Sequence, residues 1–142
     1  MNGMVRSYLL AAVLAASCGM VMGIAMGIAH DFRLAPVHVH LNLLGWVTFA
    51  IYGLTFRAIP AAAEQGLARV QFWLAVPGLL LFCGGLAALR LDEPAGFSLA
   101  VLGSFMTLGA MLCFGVVLVR AFAQPSTAPR AIAHPLAAGS AA

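Results

Sequence analysis

Four stretches of this 142-residue chain, 7–29, 37–56, 70–89 and 97–119, contain no Asp, Glu, Lys or Arg. An α-helix rises about 1.5 Å per residue, so about 20 residues cross a hydrocarbon core about 30 Å thick. Each stretch is long enough. Inside a bilayer the backbone must satisfy its own hydrogen bonds, which makes helices the expected form. Nothing alternates polar with apolar residues in the way a transmembrane strand requires.

Composition agrees with this reading. Hydrophobic residues make up 63% of the chain and charged residues only 8%, against about 25% charged in a soluble domain. A soluble enzyme, a nucleic-acid binder and a disordered tail protein are all excluded. The formal charge of +3 comes from seven arginines set against four acids, with no lysine at all. These arginines are scattered singly, so no basic run offers a nucleic-acid surface. The expected surroundings are the lipid bilayer.

The fold expected is all-α, a four-helix transmembrane bundle with up-down-up-down order. Short links, 30–36, 57–69 and 90–96, favour antiparallel neighbours. Residues 1–122 form the membrane domain, and the Pro- and Ala-rich segment 123–142 is expected to be a flexible tail. Arg6, Arg57, Arg69, Arg120 and Arg130 fall on one side, Arg33 and Arg90 on the other. The positive-inside bias then puts both termini in the cytoplasm and turns the first and third links outward. The start of the chain loosely resembles a lipoprotein signal ending at Cys18, yet its apolar run continues to Ala29. That is longer than a signal core of about 7–15 residues, so a retained helix is expected.

Within the spans, Gly19, Gly23 and Gly27 recur at i, i+4, i+8. Such spacing lets a neighbouring helix approach closely, or opens a groove for a flat cofactor. Cys18, Cys83 and Cys113 are isolated in apolar sequence and read as small hydrophobes. The distinctive segment is Ala35-Pro-Val-His-Val-His-Leu-Asn-Leu-Leu-Gly-Trp46. Pro36 suits the first turn of a helix. His38 and His40 follow, the only imidazoles inside a span, and ionisable groups at membrane depth are functional candidates. On a helix, residues i and i+2 project about 200° apart, so these two rings serve different partners. His38, Asn42 and Trp46 form one stripe; His40, Leu44 and Thr48 form another. Were 36–40 extended instead, both rings would point together, and His30 with Asp31 would help complete an outward copper or zinc site.

His38-x-His40 opening an apolar helix, with Asn42 and Gly45-Trp46 after it, resembles the His-x-His helix of the heme-copper oxidase catalytic subunit. The run from Leu34 to Val47, with Tyr52-Gly53, is also similar to short bacterial membrane proteins of about four spans that resemble that subunit. The resemblance implies a multi-pass protein of the bacterial inner membrane that binds heme, with His38 and His40 as axial ligands on opposite helix faces. Asn42 would then orient an imidazole or a heme edge, Trp46 would pack on the macrocycle, and Arg33 would pair with a propionate. An oxidase needs three further histidines around copper and another axial histidine, whereas this chain adds only His30 and His134. The resemblance therefore implies electron transfer, heme handling or redox sensing rather than oxygen reduction. A homo-oligomer would supply the missing ligand from a second copy, and the redox partner is undefined. The other readings are a structural or assembly subunit without cofactor, and a copper or zinc site at His30, His38 and His40.

Overall fold

A computed structural model describes residues 3–123. Among them every regular element is helical: α1 (Gly3–Ala29), α2 (Ala35–His40), a π-helical segment (Leu41–Thr48), α3 (Phe49–Ala58), α4 (Pro60–Ala63), α5 (Gly66–Arg90) and α6 (Gly96–Ala123). The segment from Ala35 to Ala58 is continuous, so four helices are long and apolar enough to cross a membrane. The expected tail, 123–142, lies outside the described residues except for Ala123, which closes α6; Arg130 and His134 lie outside too.

Each helix outruns the uncharged stretch inside it. Arg6, Arg57, Arg69, Arg90 and Arg120 occupy terminal turns and are exposed. A long aliphatic stem lets such a guanidinium stay in water while its Cα remains on the helix. The 57–69 link is itself partly helical, because Pro60 at the first position of α4 starts a further turn. Pro77 does not end α5, which continues unbroken to Arg90.

Two close seams hold the bundle. Along α5 and α6, Gly78 meets Met106, Gly85 meets Leu99 and Ala100, and Gly96 meets Ala88 and Leu89. The numbers fall on one helix as they rise on the other, so this pair runs in opposite directions. Along α1 and the second span, Gly53 meets Leu9, Gly45 meets Ala15, Gly19 meets Asn42 and Gly23 meets His38, again in opposite directions. Small residues permit these approaches where no water is present to drive apolar surfaces together. At one end of the bundle, aromatic rings fill the space between helices. Tyr8 lies edge-on to Phe49, Tyr52 and Phe72, with centroids 5.4, 5.5 and 4.9 Å away, the geometry that ring quadrupoles favour. Large apolar side chains such as Leu14, Ile24, Leu80 and Phe105 point outward, 64–69% exposed, as lipid contact requires.

The links after α1 and α5 share one design. His30 (φ 51°) and Asp92 (φ 61°) adopt the left-handed conformation just past the helix. The next residue reaches back: Asp31 N–H donates to the Met26 carbonyl at 3.3 Å, and Glu93 N–H to the Ala88 carbonyl at 2.9 Å. This is the six-to-one bond of a Schellman closure, usually built on glycine. Here His and Asp, residues that tolerate the region better than most, take that place.

Candidate functional site

Leu34 leads into α2 without a side-chain cap, and Pro36 fixes its first turn. Residues 36–40 are therefore helical, and the extended form that would aim both imidazoles together is not adopted. His38 turns toward α1, where its Nδ1 lies 2.8 Å from the Gly19 carbonyl and its ring rests on Gly23. His40 turns toward α5: its ring stands edge-on to Phe82, centroids 4.9 Å apart. The His40 Nδ1 lies 2.7 Å from the Pro36 carbonyl one turn back.

A carbonyl only accepts, so in each ring Nδ1 carries the proton. The neutral ring then keeps its lone pair on Nε2. A backbone anchor on one nitrogen that leaves the other as a donor to metal is the usual arrangement behind a ligating histidine. Both imidazoles are half-buried. Two oriented ring nitrogens, on different sides of one helix, are what this site offers chemically.

The Gly19–Gly23 groove is not an empty slot. Its space is taken by the His38 ring and the Asn42 amide, and a Cβ at Gly19 would fall inside that amide. Asn42 Nδ2 in turn donates to the His38 carbonyl at 2.8 Å. Of the two readings of the α1 glycines, the close approach holds at Gly19 and Gly23, where side chains of the second span fill the space. Gly27 has open space above it.

Leu41–Thr48 is π-helical, and the wider turn adds residues between successive passes over one face. Thr48 Oγ1 donates to the Leu43 carbonyl, five residues back, at 2.8 Å. Within this segment Gly45 is buried against Ala15 and Leu79, while Trp46 is 49% exposed. His38 and Asn42 are joined by the amide's bond to the His38 carbonyl.

Arg33 and His30 stand apart from the imidazole pair. Arg33 Nη2 lies 2.8 Å from Asp31 Oδ2, with Nε also bonding that carboxylate. The Arg33 guanidinium holds the Asp31 carboxyl below its usual range, first through these side-chain bonds and then through the Arg33 backbone N–H. His30 is exposed and terminates α1. Among the described residues no three His, Cys, Asp or Glu side chains gather where a metal ion would sit.

Sequence inspection passed over a second polar feature. Gln71 is completely buried, and the Tyr8 hydroxyl donates to its Oε1 at 2.6 Å. The signal was present: a lone glutamine within an apolar span. Beside α1 and α5 runs an apolar cleft of about 250 Å³, lined in part by Ala15, Cys18, Leu41, Val76 and Leu79. The cysteines at 18, 83 and 113 are all free.

The chain matches no protein-family model, no curated protein and no solved structure.

Proposed function

We propose that this chain is a small membrane heme protein, held in the bacterial inner membrane by four spans in up-down-up-down order with both termini cytoplasmic. Nε2 of His38 and Nε2 of His40 are the atoms that would hold the heme. One observation carries the reading: each imidazole has Nδ1 anchored on a backbone carbonyl, Gly19 for one and Pro36 for the other. That anchoring fixes the orientation of the ring and leaves Nε2 as the free nitrogen. The donor set suits a heme iron.

Heme would supply reversible one-electron chemistry, which suits electron transfer, heme handling or redox sensing. Asn42 keeps the His38 turn in place from below. Trp46, turned outward, offers an indole face to a macrocycle, and Arg33 would have to exchange Asp31 for a propionate. Since the Gly19–Gly23 groove is filled, a macrocycle has to lie at the outside of the bundle. There a second copy would enclose it and contribute the opposite ligand, which is the argument for a homo-oligomer. Oxygen reduction by this chain alone is not part of the proposal.

Copper or zinc held by His30, His38 and His40 has less support, because α2 sends its two rings apart and His30 serves as a helix terminator. An absorption spectrum of the purified protein, oxidised and then reduced, tests the proposal. Metal content measured on the same sample distinguishes copper or zinc from heme iron. If His38→Ala with His40→Ala alters neither cofactor content nor assembly, the chain is a structural subunit instead.

A further inference from the structure

The Gln71 amide has an unmet need. Its Oε1 accepts from Tyr8, but Nε2, equally buried, has no well-formed bond. Gln71 also lies beside the Tyr52 hydroxyl. That hydroxyl spends its proton on Met111 Sδ, 3.7 Å away, a weak acceptor.

Tyr52 and Met111 also line a small cavity of about 20 Å³ between the second span, α5 and α6. Thr48 and Thr107 complete its polar wall, and Ala75, one turn beyond Gln71, forms part of the apolar wall. Both threonine hydroxyls already donate to backbone carbonyls, of Leu43 and Ser104 at 2.8 and 2.9 Å. Their oxygens are left with lone pairs and no proton to offer. One water needs about 10–15 Å³ and two to four polar partners.

We infer that this cavity is a binding site for one water molecule, which accepts from the Tyr52 hydroxyl and donates to the Thr48 and Thr107 oxygens. Tyr52 then gives its proton to an oxygen instead of the weakly accepting Met111 sulfur. The Tyr52 hydroxyl and both threonine oxygens, which line the cavity, thereby gain a partner. The site is separate from the imidazole pair and stands whether or not heme binds.

Water-edited solid-state NMR on the full chain in lipid bilayers tests this. Magnetisation from water is expected to reach the Thr48, Thr107 and Tyr52 side chains as fast as it reaches Asp92 in a link. Lipid-facing Leu102 is expected to lag several-fold. Thr107→Val keeps the shape but removes an acceptor, and should slow transfer to Thr48 and Tyr52 to the Leu102 rate. If the wild-type threonines polarise no faster than Leu102, the inference is overturned, and that reading does not depend on the variant folding. Fast transfer to Thr48 persisting in a folded Thr107→Val protein overturns it as well.

Discussion

His38 is fastened to Gly19: its Nδ1–H donates to the Gly19 carbonyl at 2.8 Å, nineteen residues back along the chain. The glycine is needed twice, since the Asn42 amide that supports the same turn occupies the place of its missing Cβ. Backbone carbonyl, imidazole and amide thus form one unit joining α1 to the second span.

Substitution at Gly19 tests that unit. Gly19→Ala should lower stability by about 1–3 kcal/mol, the usual cost of overpacking. Gly27→Ala, with nothing within 4 Å, should be neutral or slightly favourable, since alanine suits a helix better than glycine. Melting temperatures in detergent check both. Equal effects at the two positions would contradict the packing described.

The α5–α6 seam is less forgiving. A Cβ at Gly103 would strike the backbone of Phe82 rather than a side chain that could rotate away. Gly103→Val should therefore separate the helices and cost more than Gly19→Ala, at or above about 3 kcal/mol. Gly115→Val, facing open space, is the control. Unfolding of both variants by the same detergent titration gives the comparison.

Tyr8 and Gln71 should behave as a coupled pair. Tyr8→Phe leaves Gln71 Oε1 buried without its donor, a loss of about 1–3 kcal/mol. Adding Gln71→Leu removes the stranded amide and should recover much of it, so a double-mutant cycle should show strong coupling. Additive effects would mean that the hydrogen bond contributes nothing.

The first link has a pH response of defined sign. Arg33 holds the Asp31 carboxyl below its ordinary value, about 3.9. A depressed folded pKa means that the pair supports the link above that ordinary value and loses its support as pH falls through the lowered one. The Arg33 amide chemical shift, whose N–H donates to Asp31 Oδ1, should stay constant from about pH 5 to 9 and move only below about pH 4. Because both side chains are well exposed, the effect on global stability should be small. A transition in that amide above pH 5 would contradict the pairing.

The four spans were legible because charge is a coarse, one-dimensional signal: arginines mark helix ends whichever way the helix turns. The π-helical form of Leu41–Thr48 was not. Leu41–Thr48 is apolar on nearly every side, so its sequence carries no periodicity to distinguish a π turn from an α turn. Tertiary packing of Gly45 against Ala15 and Leu79 accompanies the change. The glycine spacing in α1 correctly marked a close approach, but spacing cannot say what approaches, and here it is His38 and Asn42. His30 read as a ligand candidate because side-chain chemistry is visible in sequence. Its left-handed backbone role was not, since glycine is the residue that normally announces it. Gln71 was visible all along; its partner Tyr8 is 63 residues away, a separation that local pattern does not bridge.

Heme ligation by His38 and His40 would give the protein a visible absorption spectrum. Its most direct measurement is a reduced-minus-oxidised absorption spectrum of the protein purified from cells supplied with heme, alongside His38→Ala and His40→Ala. Heme bands are expected in the wild type and are lost or shifted in each single variant, with helical content unchanged. A colourless wild-type protein, or bands that persist unaltered in both variants, would contradict it.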